Sequence, residues 1–268
     1  MKRSVADLHT HTYLCKHGCG VPRDYAAAAE KCQLSALGFS EHFPWPENYD
    51  VDSRMSPQQW PLYCSLIEEA RESSSLKLLA GVEFDFVPGR MAEVSNALAE
   101  FSFDYLIGSI HFVDGIPFDH PDCEEEWQSS EFALKIYDGY AEALAEFMQS
   151  CDFDIIGHFD LPKKFGAAAP DNSKFRLMLH DILKLAAKRN VALEINTAGL
   201  RKSACEVYPD MQIIRLARDA GVKLTFGSDA HAPDEVGRDF DYAVKLAQAA
   251  GYSEYAIFNR REIELQPL

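Results

Sequence analysis

The chain has 268 residues, 47% of them hydrophobic, which is enough for one large domain or two small ones with a real core. Its formal charge of −16 argues against tracking a nucleic-acid backbone, which takes clustered Lys and Arg. If the substrate is anionic, its positive partners have to be metal ions and a few placed Arg or Lys residues.

No linker, low-complexity tract or fixed-period repeat divides the sequence, so a single domain over 1–268 is expected. The cysteines Cys15, Cys19, Cys32, Cys64, Cys123, Cys151 and Cys205 are odd in number and scattered. That favours reduced thiols and a cytoplasmic setting over disulfides. Met1-Lys2-Arg3 could begin a leader, but Asp7 and His9 interrupt before an apolar run forms. No apolar run approaches membrane-spanning length, and no membrane partner is expected.

Val5 to Leu8 reads as a short buried strand ending in His9-Thr10-His11. In a strand, residues two apart share a face, so His9 and His11 lie side by side. Two buried imidazoles on one face need a partner, and a divalent metal is the usual one. Pro22 then opens a helix from its first position, where the missing N–H does no harm. Ala36 to Ser40 is the next strand, leading to Glu41-His42. A rigid aromatic loop follows, Phe43 to Tyr49. Ser56, Pro57 and Gln59 make a capped helix start, with the helix running to about Ser73.

Leu76 to Val82 is a strand ending in Glu83-Phe84-Asp85, and a helix follows from Met91 to Phe101. Tyr105 to Ser109 is a strand reaching His111. The stretch from His111 to Gln128 is irregular and acidic. Helix returns from Glu131 to Gln149, then strand from Phe153 to Gly157, ending at His158 and Asp160. Asn172 to Arg189 is helical. Val191 to Ile195 is a strand, with Glu194 and Asn196 at its end. Pro209 to Ala220 is helical, and Val222 to Gly227 is a strand followed by Ser228-Asp229-Ala230-His231. A helix from Val236 to Ala250 precedes a short tail.

Strand and helix alternate seven times in this reading, the pattern of a parallel sheet with crossover helices. Every strand end carries polar groups two residues apart: His9/His11, Ser40/His42, Glu83/Asp85, Ser109/His111, His158/Asp160, Glu194/Asn196 and Asp229/His231. An open sheet gathers only the strands beside its switch point. All of these ends converge only if the sheet curls round. The expected fold is therefore α/β, a distorted seven-stranded TIM-like barrel with its metal site at the C-terminal strand ends.

A single strand-end histidine is more often structural; the repetition makes a metal cluster the better reading. Imidazole with carboxylate suits Zn, Mn or Fe. The ligand inventory is large enough for two or three ions, with Glu83 and Asp229 as candidate bridges. Cys15-Lys16-His17-Gly18-Cys19 lacks the second cysteine pair of a structural zinc site. His120, in an acidic loop, and His180, within a helix, read as residues without a role at the site. A hydroxide nucleophile at such a cluster suits hydrolysis of a phosphate ester, an amide or a lactam. No phosphate-binding Gly-x-x-x-x-Gly-Lys loop and no Gly-x-Ser-x-Gly elbow is present.

These motifs resemble the PHP (polymerase and histidinol phosphatase) family of metal-dependent phosphoesterases. The resemblance runs through Asp7-Leu8-His9-Thr10-His11, Gly38-Phe39-Ser40-Glu41-His42, Gly81-Val82-Glu83, Ser109-Ile110-His111, Gly157-His158-Phe159-Asp160 and Gly227-Ser228-Asp229-Ala230-His231. The stretches from Ser109 to Gly115, His158 to Gly166 and Glu194 to Lys202, with Phe258 to Arg261, are most similar to the monofunctional histidinol-phosphatase branch.

The resemblance implies hydrolysis of L-histidinol phosphate in histidine biosynthesis by a metal-activated hydroxide at a di- or trinuclear site. It implies one ion on His9, His11, Glu83 and Asp229. A second would sit on Glu83, His111 and His158, and a third on His17, His42 and His231. Asp229, His231 and Arg201 are the expected catalytic residues. Arg201, Lys163, Lys164, Arg238 and Trp45 are the expected substrate contacts, with no nucleic-acid partner and no oligomeric state implied. Other readings stay open here: a PHP phosphoesterase for another small phosphate such as a nucleotide, or a non-catalytic metal-binding or assembly domain. An amidohydrolase shares the first His-x-His but needs a bridging lysine, and no strand end supplies one.

Overall fold

Six of the apolar runs form one sheet of parallel strands in sequence order in the computed structural model, which describes residues 5–268. They are β1 (Ala36–Phe39), β2 (Lys77–Asp85), β3 (Tyr105–Ser109), β4 (Ile155–Ile156), β5 (Ala192–Asn196) and β6 (Leu224–Gly227). Each pairs in parallel with the next. Sequence order leaves no switch point, so the strand ends gather by curvature. Met1-Lys2-Arg3, where a leader was weighed, lies outside the described residues. No helix among the described residues is long and apolar enough to cross a membrane.

The expected first strand is not a regular strand. It joins the barrel through isolated parallel bridges, Asp7 to Leu37 and Thr10 to Ala230. Its backbone nevertheless bonds to both open edges: Gly38 N donates to Asp7 O at 2.7 Å, and Leu8 N to Phe226 O at 3.0 Å. The ladder breaks because the buried Asp7 side chain takes donors itself. It accepts from Ser228 N (2.9 Å), Ser228 Oγ (2.5 Å), Gly237 N (2.9 Å) and His9 N (3.3 Å). The seven-strand expectation thus becomes six strands and a side-chain-tied closing segment.

The helices follow their local signals. α1 (Pro22–Lys31) has Pro at its start, and α2 (Trp60–Ser73) is preceded by a 3₁₀ turn whose Ser56 and Gln59 form the capping box. α3 (Met91–Leu98) and α4 (Ser130–Ser150) come next. α5 (Lys174–Arg189) is capped by the Ser173 side chain, α6 (Met211–Ala220) by Asp210, and α7 spans Phe240–Ala250. The tail is not loose but an antiparallel hairpin, β7 (Glu254–Asn259) and β8 (Glu262–Pro267). Its two turn residues, Arg260 and Arg261, both have positive φ, as a two-residue hairpin turn requires. Arg-Arg carries no Gly or Asn and so holds no turn signal.

Neighbouring residues of each strand go to opposite sides, as the pleat demands. Leu78, Val82, Phe84, Leu106 and Ile156 join a core shared with α1 to α5. Leu79, Tyr105, Ile107 and Ile155 join a second core with α7 and with Tyr255 to Phe258 of the hairpin. Tyr105 fills the space above two glycines. A Cβ on Gly38 would lie 2.1 Å from its hydroxyl, and one on Gly81 2.6 Å from its ring.

Candidate metal centre

Glu83, near the end of β2, is the hub, and only 1% of its surface is exposed. Its Oε2 lies 3.0 Å from His42 Nδ1 and 3.4 Å from both His9 Nε2 and His11 Nε2. Its Oε1 lies 2.9 Å from His158 Nε2 and 3.7 Å from His111 Nε2. Asp229 Oδ1 meets His11 Nε2 at 3.5 Å, His231 Nδ1 at 3.6 Å and His9 Nε2 at 3.8 Å. The His17 ring centroid lies 4.7 Å from that of His231 and 5.6 Å from that of His42. All the residues singled out as ligands therefore occupy one cluster.

Within the cluster, sets of potential ligand atoms lie within 4.8 Å of one another: His9 with His11 and Glu83, His9 with His158 and Asp229, and Glu83 with His111 and His158. His11, His42 and His231 form another such set, as do Cys15, His17 and His231. The overlap of sets around His9, Glu83 and His231 suits more than one ion.

The buried nitrogens His9 Nε2, His11 Nδ1, His11 Nε2, His158 Nδ1 and His231 Nε2 have no hydrogen-bond partner. Orphaned ring nitrogens at this depth are costly unless a cation takes them. Burial raises the Glu83 pKa, but the His9 and His42 charges outweigh it and hold the carboxyl well below its usual range. Asp229 is likewise held low, burial being outweighed by His9 and His231. His11 is driven well below its ordinary value by burial and by neighbouring His42 and His231. Burial lowers the His9 and His111 pKa values, but the carboxylates of Glu194 and Asp85 outweigh it and hold both imidazoles above their ordinary value. Ligation there displaces a proton to give the neutral imidazole and ionised carboxylate that a metal requires. The donor set fits divalent transition metals.

Two carboxylates and two backbone carbonyls orient the cluster, a role that strand-end spacing does not reveal. Glu194 Oε1 sits 2.7 Å from His9 Nδ1, while its Oε2 accepts from His158 N at 2.8 Å. Asp85 Oδ1 sits 2.6 Å from His111 Nδ1. Cys15 O meets His17 Nδ1 at 2.8 Å, and Asp229 O meets His231 Nδ1 at 3.0 Å. Such contacts fix which ring nitrogen is free to ligate. The strand-end spacing had marked Glu194 and Asp85; what it lacked was their partners. Gly227 belongs here too, since a Cβ there would lie 1.9 Å from Glu194 Oε1 and 2.5 Å from His9 Cβ.

The expected substrate contacts are more dispersed. Arg201 donates through Nη2 to Ser228 O at 2.9 Å, and its Nε lies 3.2 Å from Glu235 Oε1. With Arg238 and Tyr242 it lines an open depression of about 700 Å³. Lys163 Nζ is held between Asp160 (2.9 Å) and Glu206 (3.0 Å), beside a smaller cavity of about 120 Å³. Lys164 is tied to Asp119 at 3.0 Å. Trp45 is partly buried and packs on the outer core. His120 and His180 are exposed beside Asp122 and Asp181.

A family model for the PHP domain matches residues 7–198. The chain belongs to the PHP domain family. Among PHP relatives, a Deinococcus radiodurans protein named "Probable histidinol-phosphatase" is 39% identical over 249 residues, covering 92% of this chain and 94% of that one. A protein of Lactococcus lactis named "Histidinol-phosphatase" is 25% identical over 274 residues, 96% of each chain. The crystal structure of Lactococcus lactis histidinol phosphate phosphatase complexed with zinc, L-histidinol and phosphate matches with a TM-score of 0.81. Sequence identity to it is 22%, over 97% of this chain and 100% of that one. The fold is thus the distorted α/β barrel that the strand ends had implied.

Proposed function

We propose that this PHP protein is a metal-dependent phosphatase, one phosphoesterase domain over 1–268, that hydrolyses L-histidinol phosphate to L-histidinol and inorganic phosphate. One observation carries the chemistry: a buried carboxylate, Glu83, is ringed by imidazoles whose free nitrogens have no partner in the protein. The substrate rests on the 39% identical relative, which covers nearly the whole chain and is named "Probable histidinol-phosphatase".

His9, His11, Glu83 and Asp229 would hold one ion, Glu83, His111 and His158 a second, and His17, His42 and His231 a third. Two or three ions of Zn, Mn or Fe are the proposed complement. When bound, they supply a nucleophile from water near neutral pH and offset charge on the phosphoryl oxygens. The chain's own residues do the rest. Arg201 is the proposed phosphoryl contact, a role in which its planar fork exchanges the bonds to Ser228 O and Glu235 for two phosphoryl oxygens. Asp229 and His231, whose Oδ1 and Nδ1 are 3.6 Å apart, would relay to the leaving alkoxide the proton that the nucleophilic water gives up. Lys163, Lys164 and Arg238 are further candidates for phosphate contact, the first two at the cost of their pairing with Asp160, Glu206 and Asp119, and Trp45 is a candidate wall for the imidazole. The acidic surface disfavours nucleic acid, and a cytoplasmic location accords with the unpaired cysteines.

A broader phosphatase is the second reading, because a Shewanella piezotolerans relative named "Probable phosphatase" is 26% identical over 96% of this chain. Steady-state phosphate release from histidinol phosphate, against a panel of nucleotides and sugar phosphates, separates the two. A kcat/KM at least tenfold higher for histidinol phosphate is expected. Comparable efficiency across the panel overturns the specific assignment. Metal-loaded protein that releases no phosphate from any monoester points instead to a non-catalytic metal-binding domain.

A further inference from the structure

A buried arginine stands behind the cluster, on a stretch in which the sequence showed no motif. Arg54 lies between β1 and α2 and is 3% exposed. Its Nη1 donates to Phe43 O at 2.9 Å. Its Nη2 donates to Asp85 Oδ2 at 2.8 Å and to Asp50 Oδ2 at 3.1 Å, and its Nε to Asp50 O at 3.2 Å. The guanidinium carbon lies 5.0 Å from the centre of the Tyr49 ring, and Tyr49 packs at 5.3 Å on Phe112, the neighbour of His111. One planar group thus pins both ends of residues 43–54 and a carboxylate of the metal centre.

The contact continues inward. Arg54 and His111 take opposite oxygens of Asp85, the second at 2.6 Å. With Oδ2 filled by Arg54, Oδ1 is the oxygen left to accept from His111 Nδ1–H. A proton on Nδ1 leaves the lone pair on Nε2, the nitrogen that faces Glu83 Oε1 at 3.7 Å. A lysine in place of Arg54 could meet Asp85 but not hold Phe43 O and Asp50 in the same plane.

We propose that Arg54 is a positioning residue: through Asp85 it sets the orientation and tautomer of His111. It thereby couples the conformation of the 43–54 loop to cation binding at Glu83, His111 and His158. The inference rests on the metal reading of the cluster but not on the identity of the substrate.

The test compares wild-type protein with Arg54→Met, Arg54→Lys, Asp85→Asn and the Arg54→Met/Asp85→Asn double variant. Circular dichroism and gel filtration establish that each is folded. Zinc content and zinc affinity are then measured, together with hydrogen exchange of residues 43–54 with and without zinc. In Arg54→Met, affinity for one ion should fall about 10–100-fold while the others are kept. Arg54→Lys should lose less. The double variant should be no worse than the more severe single one, since both act through His111. Zinc should slow exchange in the loop of the wild type but not in Asp85→Asn.

Folded Arg54→Met that binds every ion with wild-type affinity overturns the proposal, even if its thermal stability is lower. Additive losses in the double variant overturn it too. If Arg54→Met does not fold, unchanged zinc affinity in Arg54→Lys is sufficient to reject it. Wild-type protein that binds no zinc fails the metal reading itself. Failure of the histidinol phosphate assignment would show only in phosphate release and would leave these measurements unchanged.

Discussion

Glu83 meets five imidazoles with two oxygens, at 2.9 to 3.7 Å. The five imidazoles are not equivalent. His42 stacks on His11 at 4.3 Å and stands in the set of His11, His42 and His231 rather than in those of His9. His42→Ala should therefore lower the metal content by one ion per chain and leave the others. Activity should fall by about 100-fold or more. Metal analysis beside kinetics checks both, and full activity in this variant would argue against a third ion.

Beside the cluster, burial raises the Asp119 pKa, but the charges of Lys164 and His111 outweigh it and hold the carboxyl below its ordinary 3.8. A folded-state value below the unfolded one contributes stability above the unfolded pKa. That contribution is lost as pH falls through the folded value. Asp119→Asn should thus be less stable than the wild type at pH 7, with the gap closing in acid below pH 3.8. Denaturant unfolding at a series of pH values reads this, and a gap that widens in acid would contradict it.

At the scale of elements, local chemistry carried most of the boundaries. Pro22 opens α1, the Ser56 and Gln59 box precedes α2, and Ser173 caps α5, each within a few residues of where the sequence placed a helix start. What failed locally is instructive. The hairpin of β7 and β8 turns on Arg260 and Arg261, residues with no turn preference, so packing against the second core has to hold it. The closing segment at Asp7 lost its ladder to side-chain bonds. Glycine in β1 answers to a residue two strands away. Gly38→Ala would place a Cβ 2.1 Å from the Tyr105 hydroxyl and should cost about 1–3 kcal/mol of stability. Adding Tyr105→Leu should recover part of that loss in urea unfolding. No recovery would mean that the strain lies elsewhere.

For the molecule as a whole, the cluster concentrates carboxylates and orphaned imidazoles in the interior of a chain with a net charge of −16. Binding cations there links metal to folding. Stripping the metal with a chelator should lower the melting temperature by roughly 5–10 °C for each ion held at about 100 times its Kd. Re-addition of Zn, Mn or Fe should restore it. A melting temperature indifferent to chelator and metal would remove the basis of the site.

The sequence alone determined the alternation of strand and helix, the strand-end placement of polar pairs and the inventory of imidazoles and carboxylates. These depend on periods of two and 3.6 residues and on caps within one turn, all short-range effects. Only the tertiary structure decided which groups meet. Asp85 finds Arg54 across 31 residues of chain, and His9 finds Glu194 across 185. Those partners are chosen by how the sheet curls and where the N-terminal segment closes it. Curvature and closure are properties of the packed whole, and no short stretch of the chain encodes them.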